Sequence, residues 1–353
     1  MIVDVLGSDD DAAWLRALEP LDHDVYHHIE YARAVEANGD GRAIGFVVED
    51  GDRHFFHVSL QRPIERVGGT QIDGRWSDLE SVYGYSGPLA SSDDRDFLAN
   101  AWAAFDDWCT SEHVVAEFIR FSPLLRNESL ASTETRVGKD RDTIAVRLDV
   151  GEAELWGSYP PVQRNMVRKA ERHGLTAAPI PVEEGIGRFR AMYERTMERV
   201  GAEPYYLFSD SYYERLLELG PALVLFEATD PTGEAAAAAL LLVDGDRLHY
   251  HLSASLEDFR DAAPMNLVLH AAASWGRERG LRLFHLGGGR SPAEDDSLLR
   301  FKESFSRIRL PFFTGRRVHD SRMYGDLCTM WLDQALPPAR PPYFLLYRLP
   351  VRP

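Results

Sequence analysis

Two segments of the chain follow one pattern, and this repetition limits the folds that the sequence can adopt. Residues 101–122 read AWAAFDDWCTSEHVVAEFIRFS, and residues 268–289 read VLHAAASWGRERGLRLFHLGGG. Each combines an alanine-rich helix that has a late tryptophan, a short polar break and an apolar strand. A strand and turn precede each helix, in SVYGYSGPLAS and LHYHLSASLED. The pattern predicts a duplicated strand–helix–strand unit, and therefore two domains of related architecture.

The second half of the chain shows a clear order of elements. We predict helix, helix, strand, strand, strand, helix and strand over residues 157–174, 183–200, 221–229, 234–243, 247–254, 265–279 and 281–286. Ser158 is a candidate cap of the first helix, and Gly174 is placed to end it. Asp244-Gly245 predicts a hairpin turn. This order is typical of an acyl-transfer domain of the GNAT type, in which helices cover a mixed sheet and the ligand binds where central strands part.

The charge distribution limits the possible partners. The net charge is −17, which argues against duplex DNA as a partner because binding it needs many phosphate contacts. The first 60 residues hold thirteen acidic residues against four arginines, whereas residues 299–322 hold seven Lys or Arg against two acids. An acidic protein with one basic stretch suits a small polyanion such as a diphosphate, a coenzyme or the end of a tRNA.

Other features indicate a cytoplasmic protein. No segment approaches the roughly 18 consecutive apolar residues of a membrane span, so we expect no membrane insertion. The start, MIVDVLGSDDDAAW, lacks the basic and apolar regions of a signal peptide. Two cysteines, Cys109 and Cys328, are too few for a disulfide framework or a zinc site.

Four motifs together resemble the FemABX family and its FemAB-like acyltransferase relatives. QRNMVRKAERHGL is similar to the family's RN-x-x-RKA-x-x-x-G segment, and LLRFKESF to its L-x-x-FK-x-x-F signature. The run from HLSASLEDF to HLGGG resembles its strand, P-x-N helix and strand that ends in Gly-Gly. YGYSGPL resembles a segment of the acyltransferase branch. The likeness covers most of residues 22–320.

The resemblance implies an α/β fold, an α+β arrangement with mixed sheets, in two tandem GNAT-like domains. We expect residues 1–150 to form the first, acceptor-side domain, joined by a tail of about residues 320–353 that packs back on it. Residues 151–320 are then the second, donor and catalytic domain. The family transfers aminoacyl groups from the 3′ end of charged tRNA to amines of peptidoglycan precursors or peptide natural products, without a separate cofactor. The implied partners are a charged tRNA 3′ end and a small peptide or amine acceptor.

Two other functions remain open at this point. One is an N-acyltransferase that uses acyl-CoA or a carrier-protein thioester. Its usual pyrophosphate loop is glycine-rich, but residues 260–266 read RDAAPMN, and the missing glycine argues against a standard CoA site. The other is a double-GNAT scaffold that binds a ligand or partner without turnover. The basic surface and coiled-coil arm common among the cell-wall enzymes are also not evident here.

Lys302 is the first candidate for a catalytic residue. The chain holds 39 Lys and Arg in total, of which only Lys139, Lys169 and Lys302 are lysines. A sequence so biased toward arginine uses lysine where a compact ammonium is needed. Phe301, the preceding residue, would exclude water from the site. The electric field of the ammonium is stronger where water is excluded. We therefore predict that Lys302 stabilises the oxyanion or protonates the leaving group, in direct transfer without a covalent nucleophile. A structural lysine at the surface of a short amphipathic turn is the alternative.

Basic and aromatic residues are candidates for the donor site. Arg164 and Arg168 lie on one helical stripe beside Lys169 and predict a phosphate-binding rail, with a solvated face as the alternative. The resemblance implies phosphate contact for Arg199, which could instead complement the dipole at its helix end. Tyr206 belongs to the aromatic pair that follows Arg199.

Polar residues on the strand and helix before the triple glycine complete the donor candidates. His249 and His251 are predicted on one face of their strand, where we expect no metal site because a third ligand is lacking. His251 is a candidate donor contact. By the resemblance, Ser253 and Ser255 offer groups to the acyl carbonyl, and Ser253 is a candidate catalytic residue. Asn266 would either cap the next helix or bind ligand.

Tyr83 and Tyr85, in YGYSGP, are candidates for contact with the acceptor. They belong to the first of the two repeated segments, where the loop after the strand is rich in glycine. Packing of the turn around its glycines and proline is the alternative explanation.

Overall fold

A computed structural model describes residues 1–293, 295–334 and 343–351 of the protein. The chain divides into two compact units, residues 1–140 with 312–353 and residues 141–311. We expected changes of domain near residues 150 and 320, and the units change over at residues 140 and 311. Both positions lie inside long strands, which explains why no loop signal in the sequence marks them.

Both units contain strands and helices. The strands are β1 Ile2–Gly7, β2 Arg42–Asp50, β3 Arg53–Pro63, β4 Arg66–Val67, β5 Thr70–Gln71, β6 Ser77–Glu80, β7 Pro88–Ala90, β8 Val114–Arg120, β9 Arg136–Arg147, β10 Thr176–Ile180, β11 Leu223–Thr229, β12 Ala235–Asp244, β13 Arg247–Ser255, β14 Leu283–Gly288 and β15 Ile308–Val318. The helices are α1 Asp11–Leu18, α2 Ile29–Ala37, α3 Arg95–Ser111, α4 Glu152–Ser158, α5 Pro161–Arg172, α6 Val182–Val200, α7 Asp210–Leu216, α8 Pro264–Glu278, α9 Ser297–Glu303 and α10 Ser321–Leu332. Over the described ranges, none of these helices has the length and apolar character needed to cross a membrane.

The first unit is built on a sheet of order β1-β2-β3-β6-β8-β15, with β7 paired to β3. Neighbouring strands are antiparallel except β6 and β8, which are parallel and are joined through α3. The carboxylate of Asp94 caps α3 by accepting from the backbone N–H of Phe97 at 2.7 Å. The apolar face of α3, which includes Phe97 and Phe105, packs on Phe46 and its neighbours. This is the first of the two expected strand–helix–strand units.

The C-terminal residues return to the first unit, as expected. Leu345 and Tyr347 are buried in a cluster with Ile64 and Val115, and the indole N–H of Trp331 donates to the carbonyl of Leu349 at 2.8 Å. These apolar contacts hold residues 343–351 against the body of the unit. Residues 335–342 of the expected tail lie outside the described residues.

The second unit contains a sheet of order β9-β14-β13-β12-β11-β10. Its strands are antiparallel except for β13 and β14, which are parallel and are connected through α8. Val268 and Ala272 of α8 pack on one face of the sheet against Leu241 and Leu248. The unit therefore repeats the arrangement of β6, α3 and β8, and the predicted duplication is present at the level of topology.

The parallel pair β13 and β14 separates soon after it forms. Its ladder has three pairs, from Arg247 with Leu283 to His249 with His285. The pairing of β13 with β12 has a bulge that places His251 outside the register of that pair. The pairing of β14 with β9 has a bulge that does the same to Leu286. Residues 250–255 and 286–288 thus continue without pairing to each other, and we call the space they border the β13–β14 gap.

Local signals explain most, but not all, of these boundaries. The hairpin at Asp244-Gly245 forms as predicted, with Asp244 paired to Arg247 and Gly245 at φ 52°. Ser158 does not cap the following helix. It ends α4, where its hydroxyl donates to the carbonyl of Leu155 at 2.7 Å, because the prolines at 160 and 161 force the preceding backbone out of helical conformation. Helix α5 begins only at Pro161.

Candidate active site

Lys302 lies on the inward face of α9, the short helix that follows β14. The side chain is 7% exposed, and its Nζ donates to the carbonyl oxygen of Gly288 at 2.7 Å. Gly288 is the last residue of β14, so the lysine reaches the border of the β13–β14 gap. Burial lowers the pKa of Lys302 to about 7, although the charge of Asp296 opposes that shift. An amine whose pKa lies near neutrality can both carry charge and transfer a proton at physiological pH.

A consequence for stability can be measured on Lys302→Met. The folded state disfavours the ammonium, so between pH 7 and 10.5 the unfolded chain binds more protons at this site than the folded protein. Stability of the wild type should therefore rise relative to Lys302→Met as the pH increases through this range. Thermal unfolding of both proteins at pH 6 to 10 tests the prediction. A difference in melting temperature that does not change with pH would contradict it.

The wall opposite Lys302 is formed by β13. The Nζ atom lies 5.5 Å from the ring centre of Tyr250, and the Tyr250 hydroxyl donates to Ser253 Oγ at 2.5 Å. In a regular strand Ser253 would face away from Tyr250, but the bulge at His251 returns it to the same side. The structure therefore brings together Lys302, Tyr250 and Ser253.

Phe301 and Phe305 provide the apolar surroundings that we expected. Their rings meet edge to face at 5.5 Å, and Phe305 also packs edge to face on Tyr159 at 5.8 Å. Phe305 is fully buried, and Phe301 is partly buried against the same core cluster. The apolar contacts on this side limit the access of water to α9.

The predicted basic rail on α5 is only partly available to a ligand. Arg164 donates to the carbonyls of Gly157 and Tyr159 at the end of α4, so its guanidinium is engaged in structure. Arg168 lies over the ring of Trp156, with 5.3 Å between its Cζ and the ring centre. This contact leaves the charge of Arg168 exposed on the helix surface. Lys169, half-buried beside it, has no ion-pair partner among the residues that the structure describes.

The residues at the end of α6 are fixed to the end of β13. Arg199 forms an ion pair with Glu257 and donates to the carbonyl of Ser255 at 3.2 Å. The hydroxyl of Thr196 accepts from the backbone N–H of Ser255 at 3.2 Å. Tyr206 is 38% exposed, and its carbonyl accepts from the hydroxyl of Tyr193 at 3.0 Å. Arg199 is therefore bound to the C-terminal end of β13. Tyr206, which follows it in the sequence, has an exposed ring.

His251 is not brought together with Lys302. Its Nε2 lies 2.7 Å from the hydroxyl of Tyr212 in α7, on the face of β13 opposite to Tyr250. Burial and the neighbouring His249 lower its pKa to about 3, so the ring is neutral at physiological pH. His251 therefore has a structural role, as a hydrogen-bonded histidine on that face of the sheet.

Asn266 binds another side chain instead of capping α8. Its amide donates to Oε1 of Gln163 at 2.7 Å, and the hydroxyl of Ser304 donates to the same oxygen at 3.0 Å. Helix α8 has no side-chain cap, and the residue before it, Ala263, has φ 56°. Alanine here adopts the left-handed conformation that glycine usually supplies, so the turn forms without a glycine.

Tyr83 and Tyr85 are built into a loop of the first unit. The hydroxyl of Tyr31 donates to the carbonyl of Tyr83 at 2.6 Å, and Tyr85 packs edge to face on Tyr26 at 5.8 Å and on Phe312 at 5.3 Å. Both rings are half-buried. These contacts match the turn-packing alternative and leave part of each ring at the surface.

Sequence reasoning did not identify Tyr250 and Asp296 as parts of the site. Tyr250 falls in the predicted strand 247–254, just before the motif that begins at His251. Asp296 precedes the helix that carries Lys302 and caps it, accepting from the backbone N–H groups of Leu298 and Leu299 at 3.0 and 2.9 Å. An aspartate before the apolar run SLLRF is a recognisable helix-start signal that could have drawn attention to it.

Comparison with known proteins agrees with this architecture. Residues 162–303 match the sequence profile of the family described as an acetyltransferase (GNAT) domain. The structure of FemX aligns with a TM-score of 0.66 and 15% identity, covering 92% of this chain and 99% of FemX. The C-terminal domain of a putative lysylphosphatidylglycerol synthetase from Agrobacterium fabrum gives 0.59 at 15% identity, covering 92% of this chain and 96% of that domain. L-PGS from Bacillus licheniformis gives 0.58 at 15% identity, covering 88% and 92% of the two chains. No curated protein matches the sequence.

These findings confirm the expected fold and class. Residues 162–303 of the second unit match the GNAT domain family, and the chain as a whole has the fold of FemX. The FemABX-like resemblance recognised in four short motifs thus extends to the three-dimensional architecture. The matched range includes Tyr250, Ser253 and Lys302, so the β13–β14 gap lies within the acyltransferase domain.

Proposed function

For this FemX-like acyltransferase of the GNAT fold, we propose direct transfer of an aminoacyl group from charged tRNA to the amine of a peptide acceptor. The observation that carries the proposal is the buried amine of Lys302, 2.7 Å from the Gly288 carbonyl at the border of the β13–β14 gap. An acceptor of the peptidoglycan-precursor or peptide-natural-product class supplies the amine. Charged tRNA places the reaction in the cytoplasm.

The chemistry assigned to Lys302 follows from its position. The neutral amine of the acceptor attacks the ester carbonyl, a C–N bond forms, and negative charge develops on the carbonyl oxygen. The ammonium of Lys302 stabilises that oxyanion in a largely dehydrated environment. It then gives a proton to the ribose oxygen as the C–O bond breaks. The proton released by the attacking nitrogen restores the ammonium.

Direct transfer requires no covalent intermediate, and the cysteines do not offer one. Cys109 and Cys328 both belong to the first unit. Burial raises the pKa of each thiol, which suppresses the nucleophilic thiolate. Ser253 Oγ accepts from the Tyr250 hydroxyl and is assigned to binding the acyl group.

Basic residues and the compared proteins support tRNA as the donor. Arg168 and Lys169 on α5 are available for phosphate contacts, as are the exposed Arg300 and Arg307 of the basic stretch. Arg309 and Arg317 of the same stretch are held in ion pairs instead. The name of the putative lysylphosphatidylglycerol synthetase from Agrobacterium fabrum denotes a product that contains a lysyl group. A lysyl group is an aminoacyl group, which is the kind of group whose transfer we propose for this protein.

One observation favours an acyl-CoA or carrier-thioester donor as the second candidate. The left-handed Ala263 allows the turn before α8 without a glycine, and the start of α8 has no side-chain cap, so its backbone N–H groups are not occupied by a capping side chain. A scaffold that binds without turnover is the third possibility. Its signature would be ligand-induced stabilisation that is unchanged when Lys302 is replaced.

Donor identity is tested by binding and transfer measured together. The protein is melted with CoA, acetyl-CoA, uncharged tRNA and a charged tRNA pool, each at two salt concentrations. We expect stabilisation by charged tRNA that weakens steeply with salt, because phosphate contacts release counterions, and no shift with CoA. Transfer of a labelled amino acid to a peptide amine should stop after RNase treatment. A CoA shift at both salt concentrations, with RNase-resistant transfer from acetyl-CoA, would establish the thioester enzyme instead.

A further inference from the structure

We propose that Asp296 is a positioning residue for Lys302, fixing both the turn after β14 and the helix that carries the lysine, and holding the lysine as a cation by its charge. The inference rests on the proposed function for its consequence in turnover. The effect of Asp296 on the protonation of Lys302 can be measured without any substrate.

The carboxylate of Asp296 joins two segments of backbone. Its Oδ1 accepts from the N–H groups of Leu298 and Leu299 in the first turn of α9. Its Oδ2 accepts from the N–H groups of Arg290 and Ser291 at 3.1 Å each, and from the Ser291 hydroxyl at 3.2 Å. One side chain therefore connects the start of the lysine's helix to the residues that follow β14.

Close packing fixes the same arrangement. A Cβ atom placed on Gly289 would lie 2.5 Å from Asp296 Oδ1 and 3.1 Å from the Cβ of Leu299. Only glycine leaves room for the carboxylate there. The preceding residue, Gly288, supplies the carbonyl that accepts from Lys302 Nζ. Asp296 thus holds the lysine's helix and the lysine's acceptor in one relative position.

The charges around Lys302 explain why a fixed carboxylate matters. Burial disfavours the ammonium, and the positive charge of Arg141 on β9 adds to this effect. Arg141 is itself held near the site, because its Nη1 donates to the Gly289 carbonyl at 2.8 Å. Tyr250 faces the lysine from β13 with its ring and stays neutral, since burial raises its pKa to about 12. Asp296 supplies the opposing negative charge that raises the pKa of Lys302.

Asp296→Asn removes the negative charge and keeps one side-chain oxygen that can cap the start of α9. Its amide nitrogen cannot accept hydrogen bonds, so the contacts that Oδ2 makes with Arg290 and Ser291 are lost together with the charge. Asp295→Asn is the matched control, because it removes the same charge from an exposed neighbouring residue. Circular dichroism and thermal unfolding establish that each variant is folded.

The titration of Lys302 can be read directly. The chain contains three lysines, so lysine labelled with ¹³C at Cε gives three signals, and Lys302→Arg identifies the relevant one. We expect the Lys302 titration to move to lower pH in Asp296→Asn and to stay unchanged in Asp295→Asn. An unchanged Lys302 titration in a folded Asp296→Asn protein would overturn the proposal, whether or not turnover is affected.

Turnover provides the second readout. If aminoacyl transfer is observed, the alkaline limb of its pH–rate profile should move with the NMR titration, and kcat should change more than KM for the donor. If the titration moves but no transfer is found with any donor, the proposed function fails while the role of Asp296 stands. If transfer occurs and its pH profile is the same in Asp296→Asn and Asp295→Asn, the positioning role fails.

Discussion

Replacement of Lys302 by methionine should lower kcat for aminoacyl transfer by about two to three orders of magnitude, with a much smaller change in KM for the donor. Loss of one oxyanion donor typically costs ~10²–10³ in kcat, or about 3–4 kcal/mol of transition-state stabilisation. Methionine keeps the length and apolar character of the side chain, so the packing of α9 is largely preserved. The lost contact is the one that grows as charge develops on the carbonyl oxygen.

Lys302→Arg should be nearly as inactive, and this variant tests the chemistry more sharply. The 7% exposed lysine has one hydrogen-bond acceptor among the described residues, the Gly288 carbonyl, whereas a guanidinium presents a planar fork with five donors. Arginine also cannot release a proton near neutral pH, so it cannot protonate the leaving oxygen and be restored. The alkaline limb of the pH–rate profile should disappear with it.

Steady-state kinetics across pH 5.5 to 9 measures both effects, with Lys139→Met as the control. Lys139 is exposed in the part of β9 that belongs to the first unit, and its replacement by methionine removes the same charge while keeping the length of the side chain. Wild-type turnover by Lys302→Arg would contradict the catalytic role assigned to Lys302. Equal losses of kcat in the Lys302 and Lys139 variants would contradict it as well.

The parts of this site that local sequence determines were predictable. The duplicated strand–helix–strand pattern depends on periodicity, and it corresponds to the parallel pairs β6 with β8 and β13 with β14. Lys302 stood out because lysine is rare in an arginine-rich chain, and its burial follows from the apolar residues beside it. These inferences use composition and the order of residues along the chain, and none of them requires the pairing of distant segments.

The rest depends on pairing between distant segments, which periodicity does not encode. The bulge at His251 arises from register against β12, and it moves Ser253 to the side of Tyr250 and His251 to Tyr212. The partner of Arg199, Glu257, is 58 residues away in the chain. Charged side chains that suggest a ligand site in sequence can therefore be occupied by structural contacts.

The largest stability effect should come from Glu117 in the first unit. Its Oε1 lies 2.5 Å from Nε2 of His57 on β3, and both side chains are fully buried. His319 and Arg317 lie nearby and also lower the pKa of the Glu117 carboxyl. Burial alone would raise the pKa of Glu117, but these neighbours outweigh it and lower the pKa below its usual value. The carboxylate is therefore ionised and paired inside the core.

Glu117→Gln should destabilise the protein by ~3–5 kcal/mol at pH 7, the usual cost of removing one partner from a buried ion pair. Because the folded pKa of Glu117 is lowered, its contribution is complete above the usual carboxylate range and is lost as the pH falls through the folded value. Urea unfolding of wild type and variant between pH 7 and pH 4 should show the difference shrinking with acidification. Glu65→Gln, at an exposed position in the same unit, is the matched control and should be near neutral. Equal stability of Glu117→Gln and Glu65→Gln at pH 7 would mean that the buried pair contributes no net stabilisation, and that apolar packing around Phe105 and Trp102 alone holds this core.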